Sequence, residues 1–206
     1  MSPARPRRAS PPEAFSRQAL AESRRVAILR RAAAAFNRQG FANTSMDDVA
    51  RELAITKPTL YRYFPSKHAI LLACHELAMD FAERAIAEAA TAPSGLERIL
   101  AFARENLRGI LGALGTFPVI TEVDSLLPAD RKRVTQRRKR ISAWFKATLA
   151  EGMADGTIAR ADPNLVSLFC FGAFNWVPFW YRAEGASEPE AIVVGYLPLF
   201  RRALAA

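Results

Sequence analysis

The chain has 206 residues, half of them apolar, enough for one or two domains with a substantial core. Only two cysteines occur, Cys74 and Cys170, which excludes a disulfide-built scaffold and reads as two small buried hydrophobes in a reducing, cytoplasmic setting. The formal net charge of +9 is segregated: residues 1–67 hold 13 Lys and Arg against 5 Asp and Glu, whereas residues 68–206 hold 16 against 15. A polyanion-binding head on a near-neutral body would show this distribution, and a uniformly solvated surface would not. Strand signals are scarce, and Ala, Leu, Arg and Glu dominate, so the expected fold class is all-α. His68, Cys74 and His75 lack zinc spacing, so no metal is expected.

In chain order, residues 1–22 read as a disordered basic arm, rich in Pro, Ser, Ala and Arg up to residue 20. Its arginines have no following apolar stretch, so it is not read as a secretory leader. They serve either DNA phosphates or a merely solvated tail. A first helix is expected from residue 23 to 39, burying Val26, Leu29, Ala33 and Phe36, with Gly40 as a left-handed cap. Residues 44–67 carry the most information. Thr44 is a cap candidate with Asp47 three residues on, and Met46, Val49, Ala50 and Leu53 share one helical face. The pattern breaks at Ala54-Ile55, then Thr56 caps a third helix with Pro58 in its first turn. Leu60 and Phe64 point one way; Lys57, Thr59, Tyr61 and Arg62 point elsewhere. A short helix with a small buried stripe and that exposed face suits a DNA major groove.

Residues 24–76 resemble the DNA-binding head of the tetracycline-repressor (TetR) family of bacterial transcription regulators. The matching pieces are Ala34-Ala35-Phe36, Gly40-Phe41, Thr44-Ser45-Met46, Val49-Ala50 and the run from Ile55 to Lys67. Two positions depart from the family pattern: Pro58, and Ala54, where Gly usually forms the turn. The resemblance implies a head at 23–68 that binds double-stranded DNA at a palindromic operator, with Thr44, Ser45, Lys57, Pro58, Thr59, Tyr61, Arg62, Tyr63 and Lys67 as the contact set. Lys67, beside a helix start capped by Ser66, is expected to meet a phosphate.

Behind the head, a fourth helix is expected to run to about residue 91, and Ser94-Gly95-Leu96-Glu97 reads as a capping box for a fifth. Gly109, Gly112 and Gly115 at spacing three fit either close packing against a neighbour or a bendable pocket wall. A short sixth helix is expected at 118–126. A seventh, 129–154, carries seven basic residues among ten from Arg131 to Arg140. Such a run is a solvated face with nearby acidic partners, a phosphate-binding surface, or an extra DNA contact. Asp162-Pro163 starts an eighth helix reaching residue 182, and Ser187-Glu188-Pro189-Glu190 starts a ninth reaching 204. Leu165 to Tyr181 is too short and interrupted for a membrane span. Nine helices agree with the TetR-like architecture. Residues 69–206 would then bind ligand and dimerise through the last two helices.

Gly172-Ala173, Asn175-Trp176, Trp180-Tyr181-Arg182, Gly185, Ser187 and Glu190 resemble a subgroup of the family, several members of which answer to acyl-CoA thioesters; Pro189 departs from its pattern. The resemblance puts an acyl-CoA among the candidate effectors, and the aromatic load of residues 99–127 and 141–181, which serves core, dimer interface or a cavity, gives Phe102, Phe117, Trp144, Phe174, Asn175, Trp176 and Trp180 as the expected apolar pocket. Arg137, Arg138 and Arg182 would take its phosphates. Trp176 and Trp180 suit equally a pocket mouth or a subunit interface. The expected function is a homodimeric repressor released from its operator by that effector. The alternative is a ligand-independent architectural nucleic-acid binder. No phosphate loop, nucleophile elbow or His-carboxylate constellation supports an enzyme, and neither catalytic residues nor cofactors are expected.

Overall fold

The computed structural model describes residues 17–112, 122–181, 185 and 187–206. Among them are eight α-helices: α1 (Arg17–Gln39), α2 (Met46–Glu52), α3 (Lys57–Tyr63), α4 (Lys67–Ala89), α5 (Gly95–Leu111), α6 (Pro128–Ala154), α7 (Pro163–Trp180) and α8 (Pro189–Leu204). There is no strand among the described residues. The all-α expectation holds, and the described residues form eight of the nine expected helices. The expected short helix at 118–126 lies mostly outside the described residues, and its remaining part is a single 3-10 turn at Val123–Ser125.

The first helix begins at Arg17, six residues before its expected start, and so takes up the end of the expected arm. The physical reason is composition: the last proline of the arm is Pro12, and the residues from Arg17 to Glu22 are strong helix formers. Gly40 ends α1's turn at φ +80°, a conformation that costs glycine nothing. The cap of α2 is Ser45, not Thr44, and the reciprocal capping box joins Ser45 to Asp48. Thr44 is buried and its hydroxyl donates to the Gly40 carbonyl at 2.8 Å, so it tightens the α1–α2 turn from inside. Thr56, Ser66, Ser94 and Asp162 cap α3, α4, α5 and α7 as the sequence indicates. The Ser187 box does not form. Glu188 is the cap residue of α8 without a side-chain bond, and Pro189 in the first turn removes one of the donors a cap would serve.

The head packs Leu29, Ala33 and Phe36 of α1 against Val49, Leu60 and Phe64. Helix α4 then leads out of the head, and α5 is the central element behind it, touching α4, α6, α7 and α8. Gly109 makes the α4–α5 approach possible: a Cβ there would lie 2.8 Å from Phe81 Cδ1. Close packing therefore accounts for this member of the glycine series, while Gly115 lies outside the described residues. The body core is aromatic. Phe102, Phe145 and Phe174 are fully buried, with ring centroids 5.4 to 6.5 Å apart. No helix is long and apolar enough to cross a membrane among the described residues.

Candidate nucleic-acid interface

Helix α3 is short, and its orientation is set by two anchors. Leu60 is fully buried, and Phe64 closes the helix against the core while the Arg25 guanidinium of α1 lies 5.3 Å over its ring. At the start of α3 the Thr56 hydroxyl receives the Thr59 amide and lies 2.8 Å from the Thr59 hydroxyl. These contacts leave Lys57, Pro58, Tyr61 and Arg62 exposed, with Thr59 and Tyr63 half-buried. The outward set named from the sequence is thus presented on one helix beside α2.

An open groove of about 410 Å³ runs along this face, lined by Asn43, Ser45, Asp47, Lys57, Tyr61 and Lys67 among others. Asp47, on α2, was not in the expected contact set. Its carboxylate oxygens lie 2.9 and 3.1 Å from Lys57 Nζ, and this pairing raises the Lys57 pKa. Both side chains are more than half exposed, so solvent screens the pair and it adds little to folding. Sequence reasoning missed Asp47 because it assigned that residue to the α2 cap; Asp48 holds that place, its carboxylate lowered to about 2 by Ser45.

Two expected contacts have different work here. Thr44 is buried and bonded to Gly40, so its side chain is not on the surface. Lys67 spends all three ammonium donors on the carbonyls of Phe41, Ala42 and Thr44, at 3.0, 3.0 and 3.1 Å, and sits 4.7 Å over the Phe41 ring. It ties the start of α4 to the α1–α2 turn, which leaves no donor for a phosphate. Ser45 remains exposed with its hydroxyl committed to Asp48.

Of the expected effector residues, the structure gathers three: Phe102 and Phe174 in the core and half-buried Trp144 beside them, with Phe102 centroids 5.4 Å from Trp144 and 6.0 Å from Phe174. Phe171 and Phe145 join the same cluster at 4.9 Å from each other; neither was in the expected set, though both are among the aromatics that the sequence concentrates here. Asn175, Trp176 and Trp180 do not join it. They are exposed on the other side of α7, where Trp176 stacks on Phe179 at 4.8 Å. Phe117 and Arg182 lie outside the described residues. Arg137 is already neutralised, with a fork onto Glu83 at 2.9 and 2.7 Å and a further bond to Asp80 at 2.7 Å. That removes it as a ready phosphate binder, since a ligand would have to displace two carboxylates. Arg131 and Arg133 also hold acidic partners, Asp124 for the first and Glu76 and Asp130 for the second, so much of the basic run is a paired helix face. Arg138 is half-buried, and its guanidinium approaches Nδ1 of fully buried His75 at 3.3 Å. Burial first, then Arg138, push the His75 pKa down to about 4, against an opposing pull from the Glu122 backbone.

Comparison with known proteins agrees with this geometry. Residues 28–74 match the family described as bacterial regulatory proteins, tetR family, and residues 92–204 match the tetracyclin repressor-like, C-terminal domain. The HTH-type transcriptional regulator EthR of Mycobacterium tuberculosis (strain ATCC 25618 / H37Rv) is 35% identical over 77 residues, 37% of this chain and 36% of that protein. The match thus spans about a third of the length of this curated relative. A solved TetR/AcrR-family transcriptional regulator from Thermobifida fusca YX-ER1 is 32% identical, with a TM-score of 0.60 over 87% of this chain and 97% of that one. The structure of AibR in complex with isovaleryl coenzyme A and operator DNA shares the fold at 24% identity, TM-score 0.67, over 85% of this chain and 97% of that one. The C-terminal match alone covers more than half the residues, and with the tetR-family match at 28–74 ahead of it the chain belongs to the TetR family of bacterial transcriptional regulators.

Proposed function

We propose that the protein is a homodimeric repressor that binds a palindromic DNA operator through residues 23–68 and is released by a small apolar effector bound within residues 69–206. The single observation that carries the DNA half is α3. Its inner face is locked by Leu60 and Phe64, and its outer face offers Lys57, Tyr61 and Arg62 to solvent. A rigid helix with exposed donors is what base readout requires, whereas a basic tail alone would bind any polyanion. Selection from a randomised duplex library, followed by titration of the selected site, tests this. A saturable, sequence-specific complex is expected. Arg62→Ala should lose about 1–3 kcal/mol at one or two base pairs of that site. Salt-dependent binding without preference would instead support the architectural alternative.

For the effector, the aromatic cluster of Phe102, Trp144 and Phe174 supports an apolar ligand, each buried CH₂ adding up to ~0.8 kcal/mol. The acyl-CoA form keeps the support of the motif in and after α7, but not of Arg137. A panel of acyl-CoAs, free CoA and free fatty acids tested against operator-bound protein separates the possibilities. Release by thioesters alone supports the CoA form; equal release by free acids leaves only the apolar part.

A further inference from the structure

The DNA-facing groove holds a carboxylate, which a surface built only to attract phosphates would avoid. Asp47 and Lys57 come from different helices, α2 and α3, and meet within that groove beside Ser45 and Tyr61. Their exposure gives the pair little weight in folding. Against DNA it has two consequences. The carboxylate repels the backbone, and it holds Lys57 away from phosphate oxygens that an unpaired lysine would seek.

The arrangement matches something more specific. In the major groove cytosine shows an N4 amino donor, and its partner guanine shows the O6 and N7 acceptors. A carboxylate can only accept and an ammonium can only donate. The Watson–Crick bond that joins cytosine N4 to guanine O6 spans about 2.9 Å. The Asp47 carboxylate and the Lys57 ammonium are held 2.9 Å apart, an acceptor beside a donor at that same spacing. An A·T edge has the spacing too, N6 beside O4, but it sets the adenine N7 acceptor next to the carboxylate and the thymine methyl next to the ammonium, whereas C·G gives the ammonium guanine N7 as a second acceptor. We propose that Asp47 and Lys57 together read one C·G base pair in each operator half-site, Asp47 accepting from cytosine N4 and Lys57 donating to guanine. Asp47 is then a specificity-determining residue. The inference rests on the DNA-binding reading and adds to it a residue and a base-pair identity.

The test uses the full-length protein as wild type, Asp47→Ala, Asp47→Asn and Lys57→Ala. Each is carried through selection from a randomised duplex library and then titrated at several salt concentrations. Wild type should select a C·G pair at a fixed place in each half-site, and exchanging it should cost roughly tenfold or more in affinity. Asp47→Ala should bind the original and exchanged sites within about twofold of one another. It should also bind unrelated DNA more tightly, with a log–log salt slope steeper by about 1 per head, because Lys57 becomes free to meet phosphate. Asp47→Asn keeps the side-chain size and should likewise lose the cytosine preference. If Asp47→Ala keeps the full preference at every position, the inference is wrong and the pair is a surface ion pair. If wild type shows no sequence preference at all, the operator-binding reading fails with it, a result distinguishable from the first.

Discussion

At the scale of single residues, the head shows how one side chain can change roles when its donors are counted. The sequence places Lys67 beside a helix start, where a phosphate contact is the natural expectation. Its three bonds to the Phe41, Ala42 and Thr44 carbonyls give it a structural role instead. Lys67→Met should therefore cost about 2 kcal/mol of stability, the range for charge-assisted bonds, and leave the salt slope of DNA binding unchanged. Denaturant melts and a salt titration check both halves; a slope lowered by about 1 with no loss of stability would restore the phosphate role. Ala54 is the opposite case, a residue the pattern flags and the backbone explains. It sits at φ +51°, in the left-handed region, at the turn position where the family pattern usually has glycine. An L-residue there costs about 1–2 kcal/mol, and glycine gives back some of that through a freer unfolded chain. Ala54→Gly should raise stability by about 0.5–1 kcal/mol. Calorimetry showing a lower melting temperature would mean that the turn, not the residue, sets the conformation.

At the scale of elements, the helices were legible because their signals are local. The cap residues Thr56, Ser66, Ser94 and Asp162 satisfy backbone donors within their own first turn, and the apolar spacing around Leu60 and Leu29 needs no tertiary information. What failed needed three dimensions. Thr44 and Ser45 are equally good caps by type; burial of Thr44 against Gly40 decides between them, and that choice releases Asp47 to the groove. Likewise the partners of Arg137 lie 54 and 57 positions away on α4, so a run of arginines could not be told from a phosphate site. The same α4–α6 contact holds His75 neutral, and a pH effect follows. In the unfolded chain His75 takes a proton below its ordinary 6.5, whereas in the folded protein it resists until about 4. Stability is therefore full above pH 6.5 and is lost as pH falls from 6.5 toward about 4. The carboxylate Asp48 acts lower, between its ordinary 3.8 and about 2, so the two windows separate. Urea midpoints at pH 7 and pH 5 should differ in wild type and converge in His75→Leu, which cannot titrate. Equal differences in both proteins would assign the effect to another group.

At the scale of the whole molecule, the outer face of α7 is the least expected surface for a lone subunit. Leu165, Leu168, Phe169 and Trp176 are 59 to 69% exposed and recur at helical spacing, and Val194 and Leu199 extend the apolar surface onto α8. Gly172 and Gly195 interrupt it with positions where an added Cβ meets nothing within 4 Å. A stripe of large apolar side chains around two small residues lets a second copy's helices approach closely, and a stable interface needs about 800 Å² from each partner. Self-pairing through this face also answers a need of the head. One seven-residue α3 reaches only a few base pairs, so useful specificity requires two heads held one helical turn apart. Linking them would make the second contact intramolecular, at an effective concentration in the millimolar range, and so tighten operator binding. Leu168→Arg places a charge in the centre of the stripe without touching the core, since Leu168 is 69% exposed in the single chain. The variant should keep its helical circular dichroism, sediment as a monomer at micromolar concentration and bind the operator roughly a hundredfold or more weakly. It should still recognise an isolated half-site as well as a wild-type head does. A variant that remained dimeric with unchanged operator affinity would place the interface elsewhere and leave the exposed aromatics of α7 to a different partner.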